Sequence, residues 1–306
     1  MQERFPVVIN CRDRLESLAE LVAWLERAGQ GPILLVDNDS TYPPLLDYYE
    51  QTPHEVVRLG QNAGPYAPWT SGVVAERFAG QWYASTDPDI VPGEGCPLDA
   101  LTFFHDVLQR YPAFPKAGFG LKLDDLPDRY RFAAEVRDWE RRFWDDVLEP
   151  GLYAAPIDTT FALYRPDVGF QIDIAIRTGE PYVARHTAWY VDSDDPPEEE
   201  RWYRAHARPE VNSWNHDELP GWLAEAVDRI RLTGDPRPRP ARASDLASGS
   251  DPARASDLAP ASDPARASDL APASNPAAGP GSGPAAGYGA RAGGGARRRL
   301  RAWLRR

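Results

Sequence analysis

Residues 81–92 read Gln81-Trp82-Tyr83-Ala84-Ser85-Thr86-Asp87-Pro88-Asp89-Ile90-Val91-Pro92. Gln81 to Thr86 have the length and composition of a strand, and two carboxylates follow at once with one proline between them. Acids so spaced, just past a buried strand, can both reach one hard cation. Mg²⁺ and Mn²⁺ take such oxygen ligands and often share them with substrate phosphates. Asp87-Pro88-Asp89 also reads as an Asx-type turn that ends the strand. Which reading holds depends on what surrounds it.

Three more apolar runs of strand length lie upstream: 6–10 (PVVIN), 32–37 (PILLVD) and 55–59 (EVVRL). Between the first two, Leu15, Leu18, Leu21, Val22 and Leu25 recur at helical spacing over 14–28. Residues 42–51 place Pro43 and Pro44 in a first helical turn, and 66–79 read as a further helix. This alternation predicts an α/β fold with a mostly parallel, doubly wound sheet flanked by helices. Ligands of such sheets sit at the carboxyl ends of the strands. Those ends carry Asn10-Cys11-Arg12-Asp13, Asp37-Asn38-Asp39, Asn62 with Gly64, and Asp87 with Asp89. No G-x-G-x-x-G, G-x-x-x-x-G-K-[ST] or G-x-S-x-G occurs, which argues against dinucleotide, P-loop and common α/β-hydrolase chemistry.

Downstream, 116–123 (KAGFGLKL) predict another strand, where Gly118 and Gly120 allow close backbone approach by a ligand. It holds the only two lysines of the chain, Lys116 and Lys122, six apart and so on one face. Asp124-Asp125 precede a helix expected over Tyr130–Leu148, with Phe132, Val136, Trp139, Phe143 and Val147 as its buried face. The run Ala155–Arg165 reads as a strand in which Asp158 and Thr160 share a face. A buried Asp158 needs a partner, and Arg165 or Lys122 could supply it. Asp192–Glu200 read as a solvated acidic loop.

The chain has 306 residues and a net charge of −12. Residues 235–306 hold 6 acidic and 12 basic residues, leaving 40 acidic and 22 basic in 1–234. An acidic body repels phosphate backbones, so nucleic acid is not an expected partner. Two cysteines, Cys11 and Cys96, make neither a disulfide framework nor a cysteine-rich zinc site. No run of about 18 apolar residues suggests a membrane span, and the N-terminus lacks a signal-peptide pattern. The expected compartment is the cytoplasm.

Organisation changes near Gly234. Residues 241–252, 253–264 and 265–276 repeat one twelve-residue unit with a single Leu in each copy, too little apolar surface to offset backbone entropy. We read 1–234 as one folded body, 235–295 as a disordered low-complexity linker and 296–306 as a basic amphipathic segment. In that segment Leu300, Trp303 and Leu304 share a helical face among six arginines. It reads either as an interfacial helix on the inner face of the cell membrane or as a frayed basic tail.

The order of VVINCRDR, ILLVDNDST, LGQNAGP and YASTDPDIVP resembles a nucleotide-sugar-dependent glycosyltransferase of the GT-A (Rossmann-like) fold, similar to family 2. The resemblance covers residues 5–95 well and extends more loosely to about 190. It implies a nucleotide-sugar half over about 1–95 and an acceptor half over about 96–234. Asp37 then meets the nucleoside, while Arg12, Asn62, Asp87, Lys122 and Arg185 line the nucleotide-sugar pocket. Asp87, Asp89 and His186 hold Mn²⁺ or Mg²⁺. Asp125 resembles the family's acceptor base, although the family shows Glu-Asp where this chain has Asp124-Asp125. Asp158 is its rival, and Asp125 and Asp128 also read as helix caps. Arg12 reads equally as a surface arginine, and His186 as a structural histidine. The implied partners are a nucleoside-diphosphate sugar and a carbohydrate or lipid-linked hydroxyl acceptor, in cell-envelope or exopolysaccharide synthesis. Two alternatives stay open. A sugar-nucleotide nucleotidyltransferase would carry a glycine-rich phosphate loop where Asn10–Arg14 has none. A non-catalytic carbohydrate-binding or scaffold protein would keep the fold alone.

Overall fold

In the computed structural model, residues 3–207, 214 and 218–235 are described. The repeats and the basic segment expected beyond Asp235 lie outside them. The first strand, β1 (Val7–Cys11), is buried along its whole length, as a central parallel strand of apolar residues must be. It pairs in parallel with β2 (Ile33–Asp37) on one side and with β4 (Tyr83–Thr86) on the other. β3 (Glu55–Arg58) extends the parallel row beyond β2. Helix α1 (Glu16–Arg27) buries Leu18, Leu21, Val22, Trp24 and Leu25 beneath it. Helix α2 (Pro43–Gln51) opens with the expected prolines.

The sheet continues past β4 as a mixed one. Its order is β3-β2-β1-β4-β9-β6-β10-β8-β7, with the short β5 (Ile90–Pro92) paired to β10 off this path. β9 (Ala162–Tyr164) runs antiparallel to β4 and to β6 (Lys116–Leu121). β10 (Ile176–His186) then lies parallel to β6, shifting register between Thr178 and Val183. The edge is a hairpin of β7 (Val147–Glu149) and β8 (Leu152–Ala154). Helix α5 (Ala100–Arg110) backs this half, burying Leu101, Phe104, Val107 and Leu108. The chain is therefore α/β, with a mostly parallel central sheet flanked by helices.

Several local expectations change. The helix expected over 66–79 is two short ones, α3 (Ala67–Thr70) and α4 (Val73–Arg77), because Gly72 between them takes φ +85°. The helix expected over 130–148 is α6 (Ala133–Arg141), followed by a 3-10 turn and β7; Val136 is buried, but Val147 is exposed on β7. β6 ends at Leu121, so the two lysines do not share its face.

Gly118 and Gly120 serve chain packing rather than ligand approach. A Cβ on Gly118 would collide with the Phe161 carbonyl and lie 2.8 Å from Ala162 Cα. One on Gly120 would lie 2.5 Å from the Thr178 carbonyl oxygen and 2.6 Å from the Trp144 ring.

The acidic stretch 192–200 is only partly solvated. Helix α7 begins at Glu198 and runs to His206, and Glu199 and Glu200 are buried. Glu199 accepts from the backbone N–H groups of Leu15 (2.5 Å) and Glu16 (2.9 Å), capping α1 from 184 residues away. Helix α8 (Gly221–Thr233) ends the described body against α6, with Arg231 bridging to Glu135 and Asp138. Among the described residues, no helix is long and apolar enough to cross a membrane.

Candidate functional site

A cleft of about 310 Å³ opens where the parallel strands end. β1 contributes Asn10 and, just beyond it, Arg12 and Arg14; β2 contributes Asn38. The loop after β3 brings Asn62, Gly64 and Tyr66, and the turn after β4 brings Asp87 and Asp89. Asp158, Thr159 and Thr160 come from the segment between β8 and β9, Arg177 from β10, and His186 from its last position. Trp139, Trp189 and Trp222 form an aromatic wall.

The loop after β3 is held by asparagines. Asn38 donates to the Gly64 carbonyl (2.8 Å) and accepts from Ala63 N–H (2.7 Å), while Asn10 donates to the Pro65 carbonyl (3.1 Å). Asn62 closes the loop by accepting from Gly64 N–H (2.9 Å). Gly64 itself takes φ +83°, a conformation that favours glycine.

Asp87 accepts a 2.5 Å hydrogen bond from Thr159 Oγ1. Burial pushes its pKa well up; the neighbouring Asp89 and Asp158 charges add to this, and the Thr159 hydroxyl opposes it. Asp89 is only 8% exposed. Its carboxylate faces Arg14 Nε at 3.4 Å and His186 Nε2 at 4.0 Å. The His186 ring stacks on Trp189, with centroids 4.6 Å apart.

Six cleft residues carry a buried side-chain atom with no hydrogen-bond partner among the described residues: Asn10 Oδ1, Arg12 Nε, Arg14 Nη2, Thr160 Oγ1, His186 Nδ1 and Trp189 Nε1. Buried polar atoms are nearly always satisfied, so such a group around one cleft marks where a polar ligand belongs.

The expected site residues divide. Arg12, Asn62, Asp87, Asp89, Asp158 and His186 line the cleft. Arg12 is tied down there by the backbone carbonyls of Asn38, Asp39 and His206. Asp37 sits behind the cleft, accepting from Ser40 N–H (3.1 Å) and Tyr49 OH (3.2 Å). Asp125 is exposed and accepts from Tyr190 OH (2.6 Å). Lys122 pairs with Asp124 and Glu180, and Arg185 with Glu20. None of these four lines the cleft.

Asp158 is not the buried strand carboxylate expected. It lies in the segment before β9, exposed, and accepts from Thr160 N–H (3.1 Å) in an Asx turn. Arg165 instead donates to the Phe114 and Leu108 carbonyls.

Sequence reasoning missed three groups. Arg14 is 5% exposed and bonds Glu200 (2.7 Å) as well as facing Asp89. Arg177 is buried on Glu140 (2.6 Å) and donates to the Pro156 carbonyl (2.7 Å). Lys116, fully buried, donates to the Ile157 (2.5 Å) and Gln171 (2.6 Å) carbonyls and so fixes the segment carrying Asp158. The one available signal was the rarity of lysine.

Among the described residues, no three His, Cys, Asp or Glu side chains converge as a complete cation shell. The donors present still suit a cation that completes its shell with water and phosphate oxygens, as Mg²⁺ does. Asp87 and Asp89 supply hard oxygens, and their mutual repulsion at Asp87 is what a cation would relieve.

No protein-family model and no curated protein sequence matches the chain. Among solved structures it is similar to S. aureus TarS 1–349, a GT-A-like glycosyltransferase. The match covers 74% of this chain and 69% of that one, at 14% identity and a TM-score of 0.37, a coarse likeness.

Proposed function

We propose that the cleft binds a nucleoside-diphosphate sugar and transfers its sugar to a hydroxyl acceptor. The observation that carries this is the convergence of unsatisfied polar atoms with Asp87 and Asp89 at the carboxyl ends of parallel strands. Asn38, Asn62 and Gly64, which line the cleft, would shape the nucleoside's side of it. Asp87, Asp89 and His186 would hold Mn²⁺ or Mg²⁺. Such a cation supplies Lewis-acid stabilisation of the leaving diphosphate.

Asp158 is the base this reading favours, since it reaches the cleft and Asp125 does not. In a single displacement Asp158 takes the acceptor's hydroxyl proton while the acceptor oxygen bonds to the anomeric carbon. The bond from that carbon to the diphosphate oxygen breaks, and its electron pair leaves with the diphosphate. Arg177 and the tryptophan wall line the acceptor side, which suits a carbohydrate or lipid-linked hydroxyl. The basic segment 296–306 would bring the protein to an anionic membrane surface from the cytoplasmic side.

A thermal-shift series with UDP-, GDP- and dTDP-sugars, with and without Mn²⁺, tests the reading. A ligand at a hundred times its Kd stabilises by about 2.7 kcal/mol, well within detection. No metal-dependent stabilisation by any donor overturns it. Turnover left unchanged by Asp89→Ala removes the metal assignment.

A further inference from the structure

We propose that Arg14 couples the two ligands of the cleft: a nucleoside diphosphate and a divalent cation each take one side of the Arg14–Asp89 ion pair. This rests on the donor-site reading above and adds the residue through which its ligands communicate.

The argument begins with how tightly Arg14 is held. Its Nη1 lies 2.7 Å from Glu200 Oε2, and Glu200 is itself fixed by Arg204 at 2.8 Å. The guanidinium carbon stands 4.0 Å from the centroid of the Tyr203 ring. Glu200 is 1% exposed, so water cannot replace its partner. Moving Arg14 away would leave the buried Oε2 of Glu200 without its partner while Arg204 holds only Oε1, and the guanidinium therefore stays in place.

Its other two nitrogens are less committed. Nε faces Asp89 Oδ2 at 3.4 Å, longer than the roughly 2.7–2.9 Å of a charge-assisted hydrogen bond. Nη2 is buried with no acceptor among the described residues. One fixed positive charge thus has a close partner in Glu200, a looser one in Asp89 and one buried, unpaired donor, on a residue that lines the cleft.

Two consequences follow from charge alone. A cation on Asp89 neutralises the carboxylate that Arg14 faces, freeing the guanidinium's charge for phosphate oxygens. A phosphate on Arg14 draws the guanidinium's charge from Asp89, baring that carboxylate for a cation. Such coupling is reciprocal by thermodynamic necessity. With either ligand absent, the ion pair competes with the other. A charge-assisted contact of this kind corresponds to about tenfold in affinity.

The test uses the full chain and reads binding rather than turnover. Mn²⁺ alone is titrated by the electron paramagnetic resonance of the free ion, and UDP and GDP alone by calorimetry. Arg14→Met is expected to bind Mn²⁺ alone about tenfold more tightly and the nucleoside diphosphate alone about tenfold more weakly. A merely structural role would weaken both. Arg14→Lys keeps a charge opposite Glu200 while losing the Nη2 arm, and serves if Arg14→Met does not fold; the same opposed shifts, smaller in size, are expected. Shifts in one direction for both ligands, or no shift, overturn the coupling while leaving the donor site standing. A wild-type chain that binds neither Mn²⁺ nor either nucleotide overturns both.

Discussion

Thr159 Oγ1 donates a 2.5 Å hydrogen bond to Asp87 Oδ2, so the segment before β9 is tied to the acid that ends β4. The segment carrying the proposed base Asp158 and the proposed cation site are thereby linked by one hydroxyl.

Thr159→Val removes that donor and leaves burial and the Asp89 charge to push the Asp87 carboxyl higher still. The acidic limb of the pH–rate profile is expected to move to higher pH, with activity near pH 7 down about tenfold. Thr159→Ser restores both. An acidic limb unmoved in Thr159→Val would separate Asp87 ionisation from turnover.

Asp87→Asn tests the same group through stability. A carboxyl whose folded pKa is raised binds its proton more tightly in the native state. The stability it contributes is present at low pH and lost as pH rises through the folded value. Without ligand, Asp87→Asn is therefore expected to melt above wild type at pH 8, by about 2–4 °C per kcal/mol. The difference shrinks on acidification. Calorimetry at pH 5, 6.5 and 8 checks the sign.

Asp158→Asn is expected to lower turnover by about 10²–10⁴-fold with donor binding retained, since it removes only the acceptor's base. Asp125→Asn should stay within about twofold, as surface changes usually do. The reverse order would reassign the base to the Asp125 side.

Lys116 gives a prediction with the opposite pH sign. Burial draws its pKa down to about 7, with Asp158 opposing and Arg177 reinforcing the shift. Between about 7 and the ordinary lysine value near 10.4, the unfolded chain binds a proton that the native chain does not, so native stability rises with pH there. Lys116→Met is expected to flatten that rise and to cost about 2–3 kcal/mol by stranding the Ile157 and Gln171 carbonyls. Urea midpoints at pH 7 and 9 in both chains measure it.

The strands and helices of the first 95 residues were legible because each is a local pattern. β1 and β2 are continuous apolar runs, and α1 repeats its leucines on one face. Asp87 and Asp89 could be placed because strand ends in a parallel sheet have a fixed side. Arg14 was not legible, because the turn beside it depends on Asp13 at φ +48° and on a Glu200 that lies 186 residues on. Gly118 and Gly120 were read as ligand glycines because nothing local reveals that Phe161, Thr178 and Trp144 press against them. Asp125 looked like a base from its place before a helix, yet only the packing of Tyr190 shows where its carboxylate is engaged.

The cap that Glu199 places on α1 has a consequence for how the protein comes into being. During synthesis the first helix emerges early, but its start stays uncapped until nearly two hundred residues have followed. The same late segment delivers Glu200 to Arg14. A fragment ending after the Asp-Pro-Asp turn would hold the cleft residues of β1 to β4 while lacking the acid that fixes Arg14. On the proposed reading the first ninety residues, self-sufficient in appearance, would not be a transferable binding cassette. Grafting them onto another chain would require carrying α7 along.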